Sequence, residues 1–220
     1  MNSWNDLKYF ETVVLDNIHL AKDAFLLRFK RSFDFKAGQV IGLGIHTDIE
    51  PRLYSIASGE TDEFIEILYT EKPDGKLTPM LSTLKPRDTI LATNPFGTFT
   101  GFSDSPVCIS TGTGIAPFIS MLKSGKGKDA TFIHGVRTPD HFYFEDLLKE
   151  TLKTNYVQCC SGSNSNRFYT GRVTKYLLEN PMQPDKKYYL CGIAEMVVEA
   201  RDILISKGIP YGNIISEIYF

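Results

Sequence analysis

Little in this 220-residue chain would tie it to a membrane, a metal or a nucleic acid. No apolar run approaches the length that spans a bilayer. The opening Met1-Asn2-Ser3-Trp4-Asn5-Asp6 lacks the basic-then-apolar pattern of an export signal, so a cytoplasmic protein is expected. Cysteines number four, Cys108, Cys159, Cys160 and Cys191, with no C-x-x-C spacing. The adjacent pair Cys159-Cys160 is a poor metal clip and a strained disulfide, so all four are expected to be buried free thiols. That suits a reducing compartment and builds no iron–sulfur cluster or other metal site into the chain. Charge of either sign is not in excess. The formal net charge is −2, with 11 basic and 14 acidic residues through Ser103 and 13 and 12 after it. Neither half is basic enough to suggest nucleic acid. Repeats and low-complexity tracts are also lacking.

What is there falls into two rhythms. Through Ala92 the chain is β-patterned. Lys8–Leu15, Ala24–Phe29, Val40–Ile45, Leu53–Ala57, Phe64–Tyr69 and Thr89–Ala92 are short and rich in β-branched or aromatic residues. Turn signals such as Lys36-Ala37-Gly38-Gln39 and Lys72-Pro73-Asp74-Gly75 separate them. Six such strands predict an antiparallel barrel or sandwich, with one short helix over Leu77–Leu84. From Pro106 strands alternate with helices. Strands are expected at Val107–Ser110, Ala130–Gly135, Tyr156–Cys160, Lys187–Cys191 and Ile214–Ile218. Helices are expected near Ala116–Lys123, Phe142–Glu150, Val173–Glu179 and Glu195–Lys207, the last closed by Gly208 and Pro210. This is an α/β layout with a mainly parallel sheet. The seam lies around Gly101-Phe102-Ser103-Asp104, giving domains of 1–103 and 104–220.

Three stretches carry chemistry. Ser110-Thr111-Gly112-Thr113-Gly114-Ile115-Ala116-Pro117 joins a strand to a helix through glycines, which lets backbone N–H groups and the helix dipole face an anion. Pro117 suits a first helical turn, where its missing N–H costs nothing. Arg52-Leu53-Tyr54-Ser55 sets a cation, a flat ring and a hydroxyl along one strand. Arg52 can hold a phosphate, Tyr54 on the same face can stack on a flat ring, and Ser55 can offer a hydroxyl to a ring nitrogen. Asp74-Gly75-Lys76-Leu77-Thr78-Pro79 is a glycine turn before a short helix, with the Thr78 hydroxyl in its first turn.

In that order, and together with Ala37-Gly38-Gln39, Leu84-Lys85-Pro86, Pro95-Phe96-Gly97-Thr98-Phe99, Cys191-Gly192 and the tail Glu217-Ile218-Tyr219-Phe220, these motifs resemble the ferredoxin–NADP reductase family. The details are closest to its bacterial FAD-containing ferredoxin/flavodoxin reductases. The resemblance runs almost end to end. It implies FAD in an N-terminal antiparallel six-stranded β-barrel and a nicotinamide dinucleotide in a C-terminal α/β parallel-sheet domain, with the rings meeting in the cleft between them. Arg52 would bind the FAD pyrophosphate, Tyr54 would pack on the isoalloxazine, and Ser55 would bond near flavin N5. Gly75, Leu77 and Thr78 would supply phosphate donors. Thr113 and the Gly112 and Gly114 backbone would meet the nicotinamide cofactor, and Cys191 would sit against its nicotinamide. Glu217 would be an acidic partner at the flavin. Tyr219 would cover the flavin and Phe220 would lie toward the adenine. By the same resemblance Leu53, Leu68, Tyr69, Thr70, Lys76 and Gly192 complete the cofactor-binding set. His134 and His141 are read as structural.

The choice of nicotinamide is a question of charge. An acid for the ribose 2′-hydroxyl should cap the second strand of the α/β half. Here that strand ends His134-Gly135-Val136-Arg137, with no acid. Arg137 can pair with a 2′-phosphate, which favours NADPH over NADH. Close relatives carry a Ser-Arg pair after the third strand, where this chain has Ser161-Gly162; Arg167 or Arg172 would then compensate. The implied activity is electron exchange between NADPH and a one-electron carrier, ferredoxin or flavodoxin, by a monomer or weak dimer. The rival readings are a reductase component of an oxygenase or free-flavin reductase, and a non-catalytic relay subunit that keeps the fold.

Overall fold

A computed structural model describes residues 8–46 and 49–219, with Tyr219 described in its backbone only. The first six strands are β1 (Tyr9–Ala21), β2 (Ala24–Lys30), β3 (Val40–Gly44), β4 (Arg52–Ser55), β5 (Phe64–Thr70) and β6 (Thr89–Thr93). They pair antiparallel in the order β4-β3-β6-β1-β2-β5. The two ends of that order meet through an Ile56–Ile67 bridge and an Ala57 N–H donated to the Glu66 carbonyl at 2.8 Å. The sheet thus closes into the antiparallel barrel that the strand spacing predicts. Leu27, Phe29, Ile41, Leu43, Ile65 and Ile67 fill its interior, each buried because alternate residues of a strand share one face.

Two elements differ from expectation. The first strand does not stop at Leu15 but runs on to Ala21. A bulge between Val14 and Asp16 absorbs the polar pair that breaks its alternation. Asn17 then bonds across the barrel, donating to the Leu81 carbonyl at 2.9 Å and accepting from the Tyr69 hydroxyl at 3.2 Å. The helix expected over Leu77–Leu84 is only α1 (Thr78–Ser82). Its end tightens into three-residue closures, with Thr83 N–H on Met80 O and Leu84 N–H on Leu81 O, both 3.2 Å.

The rest of the chain supplies β7 (Val107–Thr111), β8 (Thr131–Val136), β9 (Tyr156–Cys160), β10 (Tyr169–Thr170), β11 (Tyr188–Ile193) and β12 (Ile214–Tyr219). The helices are α2 (Ala116–Lys123), α3 (Glu145–Leu152), α4 (Val173–Glu179) and α5 (Ala194–Ser206). All strand pairs are parallel, in the order β10-β9-β8-β7-β11-β12. Ile109, Ile133 and Leu190 pack with Val173, Leu177, Ala200 and Leu204 of α4 and α5. The third helix starts three residues later than the Phe142 start expected, because Phe144 takes a left-handed φ of 57°. Gly208, at φ 86°, ends α5, and Ile209 N–H returns to Leu204 O at 3.1 Å.

The chain divides into two units. One runs to Thr100 and takes in Ala116–Ser124; the other is Gly101–Ile115 with everything from Gly125. Helix α2, which follows the glycine stretch, is therefore part of the barrel unit. Three polar ties hold it there. Ser120 Oγ donates to the Ser58 carbonyl at 2.6 Å. Ser124 Oγ accepts from Glu60 N–H at 2.9 Å. Lys123 pairs with Glu66, which is 2 % exposed and takes Arg28 Nη2 on its other oxygen at 2.7 Å. A buried carboxylate is tolerated only when paired in this way.

Candidate functional site

In the barrel unit the singled-out strand is β4. Arg52 and Leu53 are exposed, Tyr54 is half-buried and Ser55 is buried. The Tyr54 ring meets Tyr69 edge-on, with centroids 6.4 Å apart. Tyr69 stacks on Phe25 at 5.4 Å and reaches Asn17, which holds the Leu81 carbonyl of α1. One chain of contacts thus links β4, β5 and α1. Burial pushes both phenols well above their ordinary pKa, and the Arg52 charge offsets this a little at Tyr54. Leu68 is buried beside them, and Thr70 lies half-buried at the end of β5. The second motif is a closed turn. Gly75 N–H donates to Lys72 O at 2.8 Å, and Lys72 N–H donates to Thr78 Oγ1 at 2.8 Å. The Thr78 hydroxyl also donates to Lys72 O at 3.5 Å, so it serves the turn itself as acceptor and as donor. Lys76 is exposed, while Leu77 is buried and accepts from Met80 and Leu81 N–H.

In the parallel-sheet unit the chain leaves β7 for β8, β9 and β10 on one side, then returns to place β11 and β12 on the other. The switch point lies between β7 and β11, where an open α/β sheet binds its ligand at the carboxyl edge. Thr111-Gly112-Thr113-Gly114 and Cys191-Gly192 sit at that place. After Thr111 the chain makes a 3-10 turn over Gly112–Ile115. A Cβ on Gly114 would stand 2.4 Å from the Cys191 carbonyl oxygen, and one on Gly192 would stand 2.5 Å from Thr111 Oγ1. Both glycines are required by backbone closeness, and this packs the turn onto the end of β11. Gly112 differs. Its φ is 53° and an added Cβ would meet nothing within 4 Å, so the outer side of the turn is open. Ser110 Oγ and Thr111 Oγ1 are buried with no hydrogen-bond partner among the described residues.

Register reveals more than the motif does. Gln158, His134, Ser110, Cys191 and Glu217 are successive neighbours across β9, β8, β7, β11 and β12. They form a polar row across an otherwise apolar sheet. His134 is fully buried. Its Nε2 lies 3.4 Å from the Gly112 carbonyl and its Nδ1 lies 3.2 Å from the Tyr156 hydroxyl. Burial lowers its pKa to about 4, against a smaller rise from the Gly112 carbonyl, so it is neutral at neutral pH. Cys191 has no exposed surface, and Glu217 is half-buried. All four cysteines are buried free thiols, as their spacing predicts.

The three arginines differ in freedom. Arg137 is exposed just past β8, and Arg172 is exposed at the N-cap of α4. Neither has an ion pair among the described residues. Arg167 has its Nη2 3.7 Å from Glu145 Oε1. Burial alone would raise the Glu145 pKa, but Lys149, Gln158 and Arg167 together hold it below the ordinary carboxylate value. Gly162 N–H donates to Arg137 O at 2.8 Å, and a Cβ there would stand 2.4 Å from that oxygen. An arginine cannot replace Gly162 without moving backbone. The Tyr219 ring and Phe220, expected over the flavin and adenine, lie outside the described residues. Sequence reading missed the part played by His134, Tyr156, Gln158 and Glu145. Its only trace is polar residues recurring at matching positions in apolar strands. Among the described residues no cluster of His, Cys, Asp or Glu could hold a metal, and no helix is long and apolar enough to cross a membrane.

Known proteins resemble this chain in sequence and fold. Residues 108–202 match the oxidoreductase NAD-binding domain family. Over 206 residues the chain is 31% identical to a ferredoxin–NADP reductase of Pseudomonas aeruginosa, covering 80% of each. It is 32% identical to the reductase component of a propane 2-monooxygenase of Mycolicibacterium goodii, covering 81% of this chain but 57% of that one. The crystal structure of a ferredoxin NADP+ reductase from Neisseria gonorrhoeae with bound FAD and NADP superposes with a TM-score of 0.87 at 25% identity, covering 98% of this chain and 100% of that one.

Proposed function

Since the chain belongs to the ferredoxin–NADP reductase family, we propose that it is an FAD-dependent oxidoreductase exchanging electrons between NADPH and a one-electron protein carrier, ferredoxin or flavodoxin. The observation that carries this reading is the open glycine turn at the switch point, packed on Cys191-Gly192 with the outer side of Gly112 clear. The residues present fit both cofactors. Bound FAD accepts hydride at N5 and releases electrons singly, which is chemistry the side chains lack.

The chain's own residues bind and orient. Arg52, exposed on β4, takes the FAD pyrophosphate; Tyr54, held edge-on by Tyr69, supplies a flat flank; Ser55 offers its hydroxyl toward N5. Leu53, Leu68, Tyr69, Thr70 and the Gly75-Lys76-Leu77-Thr78 turn complete that site. In the other unit Gly112, Thr113 and Gly114 receive the dinucleotide pyrophosphate, and Cys191 and Gly192 back its nicotinamide. Glu217, half-buried on β12, is the acidic partner for the flavin. Arg137 and Arg172 receive the 2′-phosphate, being exposed and without a carboxylate partner, whereas Arg167 already shares Glu145. The FAD-binding part is residues 1–103 and the NADP-binding part is 104–220, with α2 packed on the barrel.

Two measurements test this. The purified protein, given FAD, should be yellow with the visible absorbance of an oxidised flavin, and should oxidise NADPH faster than NADH with ferricyanide as acceptor. A colourless protein after incubation with FAD overturns it. The likeness to a monooxygenase reductase component supports a second reading, service to an oxygenase. Cytochrome c reduction that gains nothing from added ferredoxin or flavodoxin would favour that one.

A further inference from the structure

The hydrogen bonds around His134 run in one direction. The Gly112 carbonyl can only accept, so Nε2 of His134 carries the ring proton and donates to it at 3.4 Å. Nδ1 is then an acceptor, and the Tyr156 hydroxyl donates to it at 3.2 Å. Nearby, Gln158 Nε2 donates to Glu145 Oε1 at 3.0 Å. Glu145 is fixed at the start of α3 by Lys149. Phe142 closes on the His134 ring edge-on, with centroids 5.6 Å apart. A buried imidazole is costly unless both nitrogens are used, and here both are.

This chain of bonds ends on one backbone atom, the carbonyl of the glycine whose φ of 53° sets the shape of the open turn. We propose that His134 is a positioning residue: backed by Tyr156, it fixes the Gly112 peptide, and so sets where the turn's N–H groups point at the dinucleotide pyrophosphate. The inference rests on the dinucleotide reading above. It gives a use to a histidine that packing alone would replace with an apolar ring.

The test compares His134→Phe, His134→Gln and Tyr156→Phe in the full chain loaded with FAD. Glutamine can keep the donor to Gly112; phenylalanine keeps volume only. NADP+ and adenosine 2′-monophosphate are titrated separately, since the fragment keeps the 2′-phosphate but lacks the 5′-phosphates that would reach the turn. His134→Phe should weaken NADP+ about tenfold, the size of one net hydrogen bond, while adenosine 2′-monophosphate changes less than about twofold. His134→Gln should recover most of the NADP+ affinity, and Tyr156→Phe should fall between. In ligand-free protein the Gly112 and Thr113 amides should exchange faster in His134→Phe than in His134→Gln. Equal weakening of both ligands, or unchanged NADP+ binding, overturns the proposal. If His134→Phe does not fold, Tyr156→Phe carries the same comparison. If wild-type protein binds neither ligand, the dinucleotide reading fails, and amide exchange still decides whether His134 holds the turn.

Discussion

Holding His134 neutral makes the fold sensitive to mild acid, and the size of the effect can be worked out. In the unfolded chain the ring has its ordinary pKa of 6.5, whereas in the folded protein burial lowers it to about 4. The folded value is the lower one, so the stability is present above pH 6.5 and is lost as pH falls toward 4. The gap amounts to about 3 kcal/mol when fully expressed, and about 2 kcal/mol of it falls between pH 7 and pH 5. His134→Gln removes this titration while keeping a polar side chain. Urea unfolding followed by circular dichroism, at several pH values from 7 to 5, measures both proteins. Carboxylates elsewhere titrate in both, so they cancel in the difference. The variant should be less stable than wild type at pH 7, and the gap should close by about 2 kcal/mol as pH reaches 5. Parallel curves would refute the reasoning, because they would mean that the ring takes up its proton equally in both states.

Other expectations follow from the same contacts. Arg137→Ala and Arg172→Ala should each lower kcat/KM for NADPH by about tenfold or more, as loss of a charge-assisted phosphate bond implies, and leave NADH unchanged; equal loss with both nucleotides would sink their assignment. Gly114→Ala places a methyl 2.4 Å from a backbone oxygen and should abolish NADP+ binding in a titration, whereas Gly112→Ala meets open space and should cost only about 1–2 kcal/mol of stability for its left-handed φ. Lys123→Met leaves Glu66 with Arg28 alone and should lower thermal stability by about 2 kcal/mol; a double-mutant cycle with Glu66→Gln should show that most of this loss is shared.

Much of the architecture is legible in the residues because local preference and tertiary context agree. Val173–Glu179 and Ala116–Lys123 form as helices over the spans that sequence predicts, and Tyr156–Cys160 forms as a strand. Legibility fails where tertiary contact outweighs the local signal. Asp16-Asn17 interrupts an alternating pattern, yet the strand continues because a bulge absorbs one residue and Asn17 is needed by Tyr69 and Leu81. The partnership of α2 with the barrel is also unreadable. Ala116 through Leu122 are all buried, so the helix has no polar face from which its neighbours could be inferred. Its ties to Ser58, Glu60 and Glu66 come from residues about 60 positions earlier, and no periodicity links such distant places.

The candidate site shows the same limit in sharper form. Glycine spacing marks Thr111 to Gly114 because backbone geometry restricts the residue type locally. The polar row behind it leaves no such mark. Gln158, His134, Ser110 and Cys191 each stand in a largely apolar strand, and each alone reads as an ordinary core exception. Only strand register, which depends on the whole sheet, puts them side by side. A sheet that sought stability alone would fill those positions with valine or isoleucine, since burying Ser110 Oγ without a partner costs about 1–3 kcal/mol. The row sits one or two residues below the carboxyl edge, behind the glycine turn, and His134 spans the gap to Gly112. His134, polar and buried in that place, is explained by what it holds in position rather than by what it contributes to the core.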